Sequence, residues 1–237
     1  MKSLLAAAMA VFFLQIGGKL EIKDTVEGKG PAAQVGDILT VDYSGTLAKS
    51  GALFDTSVGK KPFQFILGAG QVIKGWDQGM VGMKVEGKRS LTIPSELGYG
   101  DKGAGDDIPP NATLKFDVGL IKIDRMETKI LAPGKGKETA KAGDSCELHY
   151  QVTDTDLKKI DSSYDRKQTF QIVLGKTGLI KGFTAGVLGM KQGEKRRIVV
   201  PGEFAYGEAG RPPAIQPNAT LIFEVEMVKL LAPQEIK

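Results

Sequence analysis

The chain contains its own sequence twice, at an offset of 107 residues. Tyr43 returns as Tyr150, Pro94 as Pro201, Tyr99 as Tyr206 and Phe116 as Phe223. The string Pro110-Asn111-Ala112-Thr113-Leu114 returns whole as Pro217-Asn218-Ala219-Thr220-Leu221. Solenoid repeats have periods of about 20–50 residues, whereas a compact domain holds on the order of 100–150. The period therefore points to two similar domains in tandem, and what one copy keeps and the other loses can be read directly.

Within a copy, the pattern alternates between sheet and one short helix. Leu20-Glu21-Ile22-Lys23, then Leu39, Val41 and Tyr43, then Phe63-Gln64-Phe65, then Leu91 and Ile93, and finally Leu114, Phe116, Val118 and Leu120 read as strands. From Val72 to Met83 the spacing changes to three and four, and Val72, Ile73, Trp76, Met80 and Met83 mark one helical face. Glycines at 75, 79 and 82 give that helix poor propensity, so packing must hold it. Ile180, Phe183, Val187 and Met190 repeat the pattern. The expectation is an α+β fold: two domains, each a twisted antiparallel sheet wrapped against one short helix. Boundaries are placed at 19–124 and 125–237. The junction Asp124-Arg125-Met126-Glu127-Thr128 lacks Gly and Pro, so the domains are expected to be held close.

Residues 1–18 have no counterpart before the second copy. Lys2, an apolar run from Leu4 to Leu14 and the small pair Gly17-Gly18 describe a secretory signal peptide. The expected destination is the secretory pathway (endoplasmic-reticulum lumen, secreted or periplasmic), or the cytoplasm if this segment is not a signal. The run is shorter than the roughly 20 residues a membrane span needs.

Several classes of chemistry are poorly equipped. A net charge of +4 without a long basic run does not imply nucleic acid. One cysteine, Cys146, and one histidine, His149, supply neither an intrachain disulfide, nor a conventional zinc set, nor a Ser-His-Asp triad. Cys146 falls on one face with Leu148 and Tyr150 and reads as a buried inert thiol. Gly98-Tyr99-Gly100-Asp101-Lys102-Gly103 spells a dinucleotide fingerprint, but no helix follows it. Gly175-Lys176-Thr177 resembles the end of a phosphate loop, yet Phe170 stands where its first glycine belongs. Asn111 and Asn218 begin glycosylation sequons by spelling, and equally suit the turn before a strand.

What recurs is an apolar, aromatic set with few polar members: Tyr43, Phe54, Asp55, Phe65, Val72, Ile73, Trp76, Tyr99, Ile108 and Phe116. Residue by residue, Tyr43, Trp76 and Phe116 read equally well as core; Tyr99, in a Gly-flanked loop, has less packing reason to be aromatic. The strings Val41-Asp42-Tyr43-Ser44-Gly45, Phe54-Asp55, Val72-Ile73-Lys74-Gly75-Trp76, Gly98-Tyr99-Gly100, Ile108-Pro109-Pro110-Asn111-Ala112-Thr113-Leu114 and Phe116-Asp117-Val118 resemble the FKBP family of peptidyl-prolyl cis-trans isomerases. The resemblance covers essentially all of residues 19–237. It implies a half-open pocket with Trp76 as its floor and Tyr43, Phe54, Val72, Ile73, Ile108 and Phe116 as its walls. Tyr99 would offer its hydroxyl to a substrate carbonyl, and Asp55 would sit beside the bound amide. It further implies proline-containing polypeptides as substrates and rapamycin-type macrolides as ligands of the first domain. Neither metal nor cofactor is required, because rotation about an amide makes and breaks no bond to carbon.

The second pocket would comprise Tyr150, Ile160, Asp161, Leu179, Ile180, Phe183, Tyr206, Ile215 and Phe223. Phe183 replaces the tryptophan, Ile160 replaces Phe54 and Ile172 replaces Phe65. With aromatic rings lost, it is expected to be shallower and weaker in both activity and macrolide binding. A proline-segment-binding module with incidental turnover is the alternative function, above all for this second domain.

Overall fold

The computed structural model describes residues 18–176 and 178–232. All but the last residue of the signal segment expected at 1–18, and Thr177 of the discarded phosphate-loop motif, lie outside the described residues.

The repeat in sequence is a repeat in topology. The first half folds into a six-stranded antiparallel sheet, ordered Glu21–Val26, Lys88–Ile93, Leu114–Asp124, Ile38–Leu47 and Leu53–Thr56, with Phe63–Ile66 pairing the far half of Ile38–Leu47. The second half repeats that order as Glu127–Ala132, Lys195–Val200, Leu221–Leu231, Ser145–Thr153 and Lys159–Ser162, with Phe170–Val173 against Ser145–Thr153. Inward positions of the long strands are apolar, so Leu39, Val41, Leu114, Phe116, Val118 and Leu120 form one core wall. A two-stranded ribbon, Lys29–Ala32 with Lys84–Val85, belongs to the first half.

Each sheet carries one helix, shorter than its sequence pattern suggested. Val72 and Ile73 precede the first helix, Lys74–Gly79, with Ile73 extended, and Gly82 lies beyond it at φ +81°. The second is Lys181–Val187. Their glycines are a packing requirement. A Cβ on Gly75 would stand 2.4 Å from Ile93, and one on Gly182 2.3 Å from Val200. Removing those carbons lets helix backbone rest on the sheet, which compensates for the poor propensity.

An arginine ties each helix to its sheet. Arg89 shares the inward face of its strand with Leu91 and Ile93, and is buried. Its Nη1 donates to the carbonyls of Gly79 and Val81 at 2.7 and 2.9 Å, satisfying the helix C-terminus, while Nε donates to Asp24 at 2.6 Å. Arg196, 107 residues on, donates to the Gly186 and Leu188 carbonyls and to Glu194.

The two halves are docked at the junction, as its composition suggested. Between the strands ending at Asp124 and beginning at Glu127, Arg125 turns back to donate to the buried Asp37 carboxylate at 2.6 and 2.7 Å, and Met126 enters the second core. Ile38, Ile66 and Ala69 of the first half pack into that same core. Gly175 approaches Ala69 so closely that a Cβ there would stand 2.0 Å from its carbonyl oxygen.

Candidate functional site

The first site grows from the pairing of Ile38–Leu47 with its two neighbours. Gly45 lies opposite Phe116 on one side and Asp55 on the other. Because Gly45 has no side chain, the rings of Phe54 and Phe116 meet over it edge to face, with centroids 5.5 Å apart; a Cβ would lie 2.7 Å from both. The helix supplies Trp76, 4% exposed, at the base. Tyr43 and Phe116 stand nearly perpendicular to the indole at 5.2 and 5.3 Å, and Phe65 lies beneath at 5.5 Å. Such edge-to-face pairs add about 0.5–1.5 kcal/mol each beyond burial and fix the ring positions.

These rings enclose a cavity of about 230 Å³, lined by Tyr43, Phe54, Asp55, Phe63, Gln71, Val72, Ile73, Trp76, Tyr99 and Phe116. Ile108 is absent from the lining: it is 6% exposed, packed in the first core, and its backbone is bridged to Ala104. Phe63 and Gln71 line the cavity although the sequence reading assigned them no part in it. Phe63 shares a strand face with Phe65, stacks on it at 5.8 Å and leans over Tyr43, so the alternation carried the signal. Gln71 is fixed by accepting the Ile66 N–H at 2.9 Å.

The polar equipment is sparse. The Tyr43 hydroxyl donates to Asp55, whose other oxygen accepts the Thr56 N–H at 2.8 Å. Burial, and then the Asp55 carboxylate, push the Tyr43 phenol well above its ordinary value, so it remains a donor. Tyr99 is 41% exposed at the mouth, and among the described residues its hydroxyl has no hydrogen-bond partner.

The second cleft gathers all nine residues expected of it, with Val152, Phe170, Arg211, Ala214 and others beside them. It is more voluminous than the first, where a shallower pocket was anticipated. Its volume is about 690 Å³, and Phe183 and Ile160 line it where the larger Trp76 and Phe54 line the first cavity. Val152, opposite Phe223 where Gly45 opposes Phe116, returns part of the volume given up at Ile160. The Tyr–Asp pair recurs, Tyr150 donating to Asp161 at 2.6 Å, but Arg166 now donates to that carboxylate and to the Tyr150 oxygen, the latter at 2.8 Å. Burial raises Asp161, yet the bonds from Tyr150 and Arg166 outweigh it and hold the carboxyl below its ordinary value. Arg211 lies over the Tyr206 ring at 5.2 Å. Neither arginine was legible as a site residue, since both sit in loops without periodicity.

Positions that resembled other chemistry have structural explanations. Asn111 and Asn218 adopt φ of 58° and 57°, a left-handed conformation Asn tolerates. Cys146 is buried and its thiol is raised to about 12. His149 shares a hydrogen bond with Ser163 and stacks on Tyr164. Among the described residues, no helix is long and apolar enough to cross a membrane.

The family model described as FKBP-type peptidyl-prolyl cis-trans isomerase matches residues 30–121 and again 136–228. The chain is 36% identical over 208 residues to a human protein named peptidyl-prolyl cis-trans isomerase FKBP10, covering 85% of this chain and 36% of that one. It is 54% identical over 107 residues to an FK506-binding protein of Neisseria meningitidis, covering 45% of this chain and 97% of that one. The crystal structure of the three FKBP domains of wheat FKBP73 aligns with a TM-score of 0.43 at 24% identity, covering 90% of this chain and 95% of that one. The chain spans little more than a third of the human relative's length.

Proposed function

The chain belongs to the FKBP-type peptidyl-prolyl cis-trans isomerase family, and on that premise we propose that it catalyses rotation about Xaa-Pro bonds in polypeptides, with the pocket above Trp76 as its main catalytic site. The observation that carries this reading is an aromatic cavity whose polar members are a Tyr43–Asp55 pair, Gln71 and the Tyr99 hydroxyl.

That equipment suits the barrier. A planar amide resists rotation by roughly 18–20 kcal/mol because resonance gives the C–N bond double-bond character. At the twisted transition state resonance is lost and the group is less polar, so a ring-lined pocket disfavours it less than the planar form. Catalysis follows only from interactions stronger in the twisted state. Val72, Ile73 and Trp76 would hold the prolyl ring, Tyr99 would donate to the adjoining carbonyl, and the Asp55 carboxylate would lie beside the rotating amide with Tyr43 fixing its orientation.

The second domain, proposed as residues 125–237, is read as a binder of proline-containing segments with weaker turnover. The observation favouring this is its wider cleft, in which Arg166 engages the carboxylate that stands bare of any arginine in the first copy. One relative is named for binding FK506. We infer that the narrower first pocket takes a macrolide of that kind more tightly than the second. A role in assisting protein folding follows from the proposed reaction. Targeting to the secretory pathway rests on the sequence of residues 1–18, and sequencing the amino terminus of the mature protein tests it.

Isomerisation of a proline peptide by the full chain, titrated with FK506, tests the functional reading. Expected is loss of most of the catalysis at saturation of the first pocket; catalysis indifferent to bound macrolide would place the activity elsewhere.

A further inference from the structure

Two grooves run out of the first pocket, and the second domain forms part of each. One, of about 550 Å³, shares Tyr43, Asp55 and Phe63 with the pocket and is edged by Lys60, Lys61 and Lys181. Lys181 comes from the second helix and reaches across the domain boundary to donate to Gln64 at 2.7 Å. The other, of about 850 Å³, shares Val72, Ile73 and Tyr99 with the pocket. Its far wall is residues 141–143 and 174–176 of the second domain, and Lys74, Lys141 and Lys176 edge it.

Cations outnumber carboxylates along these grooves. Six lysines edge them, and among the described residues none of the six forms an ion pair. Three carboxylates share the lining. Asp55 accepts from Tyr43 and Thr56, and Asp77 from the N–H groups of Gly68 and Gly70 at 2.8 and 3.0 Å, so with Glu96 three carboxylates stand against six ammonium groups. Lys181 opens a helix whose N-terminus repels a cation, so helix stability does not account for it. The acidic residues Asp101, Asp106 and Asp107 lie on the loop beyond Tyr99 and line neither groove.

We propose that the second domain extends the first pocket into a substrate channel, and that the preferred segment carries acidic residues on both sides of its proline. A chain entering by one groove and leaving by the other would pass its prolyl ring over Trp76 and its flanks between lysines of both domains. This deepens the functional reading above and rests on it for the identity of the central pocket. It also gives the docked junction, with Arg125 on Asp37 and Gly175 against Ala69, a role in holding Lys141, Lys176 and Lys181 in place.

The test uses the full chain and three versions of one peptide, with Glu, Gln or Lys on both sides of an Ala-Pro pair. Affinity and isomerisation are measured for wild type, Lys181→Glu and the double variant Lys141→Glu/Lys176→Glu. Partly exposed charge pairs are worth little individually, so roughly a two- to fivefold preference for Glu over Gln per groove is expected. It should shrink as salt is raised, and shrink likewise in the charge-reversal variants. All six lysines are on the surface, so unchanged thermal unfolding is expected and serves as the folding control. Equal affinity for the three peptides, or a preference for Glu that the second-domain variants leave intact, overturns the proposal. Binding that discriminates without any turnover would instead sink the isomerase reading and leave the channel standing.

Discussion

Tyr43 and Asp55 face each other across two paired strands, and the phenol donates to the carboxylate at the rim of the first cavity. One bond thereby fixes a wall ring and, among the described residues, the only carboxylate lining that cavity. Tyr43→Phe keeps the ring against Trp76 and removes the donor. A single hydrogen bond contributes about 0.5–1.5 kcal/mol. Peptide kcat/KM should fall roughly two- to tenfold, while an apolar macrolide keeps most of its affinity. Loss of macrolide binding in parallel would mean the ring itself had moved.

Gly45 and Phe54 are one unit, replaced by Val152 and Ile160 in the second copy. Gly45→Val alone forces a side chain into two rings and should destabilise the first domain by about 1–3 kcal/mol. Adding Phe54→Ile should recover part of that loss, because it removes one of the two rings the valine strikes and restores the second copy's combination of Val152 with Ile160. Thermal unfolding of the two single variants and the double reads the coupling; strictly additive losses would contradict it.

Gly75→Ala tests whether packing or propensity governs the helix. Alanine favours an exposed helix by about 1 kcal/mol. Here its Cβ would stand 2.4 Å from Ile93, so net destabilisation is expected in thermal unfolding. A stabilised variant would show that the helix does not rest on the sheet through this glycine.

The Asp161–Arg166 pair gives a pH dependence with a definite sign. The folded carboxyl lies below its ordinary value of 3.8, so its contribution is present above that pH and is lost as pH falls through the lower folded value. Arg166→Leu should lower the second domain's melting temperature at neutral pH, and the gap from wild type should close below about pH 4. A gap constant down to strongly acidic pH would assign the effect to packing. In the same folded protein, Cys146, raised to about 12 and buried, should resist thiol reagents at pH 8 and react on unfolding.

The fold was legible because strand alternation and the helical stripe occur twice, and two copies of a weak pattern reinforce each other. The floor and walls of the pocket were legible through large residues: Trp76, Tyr43, Phe54 and Phe116 all converge. What was missed depends on pairing that no single strand reveals. Gly45 matters only because strand register sets Phe54 and Phe116 over it. Arg89 sits on an inward face, where a charge must find partners, and those partners lie 8 to 10 residues back and at Asp24. The size of the second cleft followed from net volume: two rings are lost and a third is smaller, and Val152 offsets only part of that, so a reading that counted aromatics anticipated a shallower site.

The most direct measurement is magnetisation-exchange NMR on an Ala-Pro peptide with the full chain, as wild type, Asp55→Ala and Asp161→Ala. Uncatalysed exchange takes about 10–100 s at 25 °C. Wild type should accelerate it, Asp55→Ala should lose most of the acceleration, and Asp161→Ala should keep most of it. No acceleration by wild type, or acceleration that survives Asp55→Ala and disappears in Asp161→Ala, would contradict the assignment of catalysis to the pocket above Trp76.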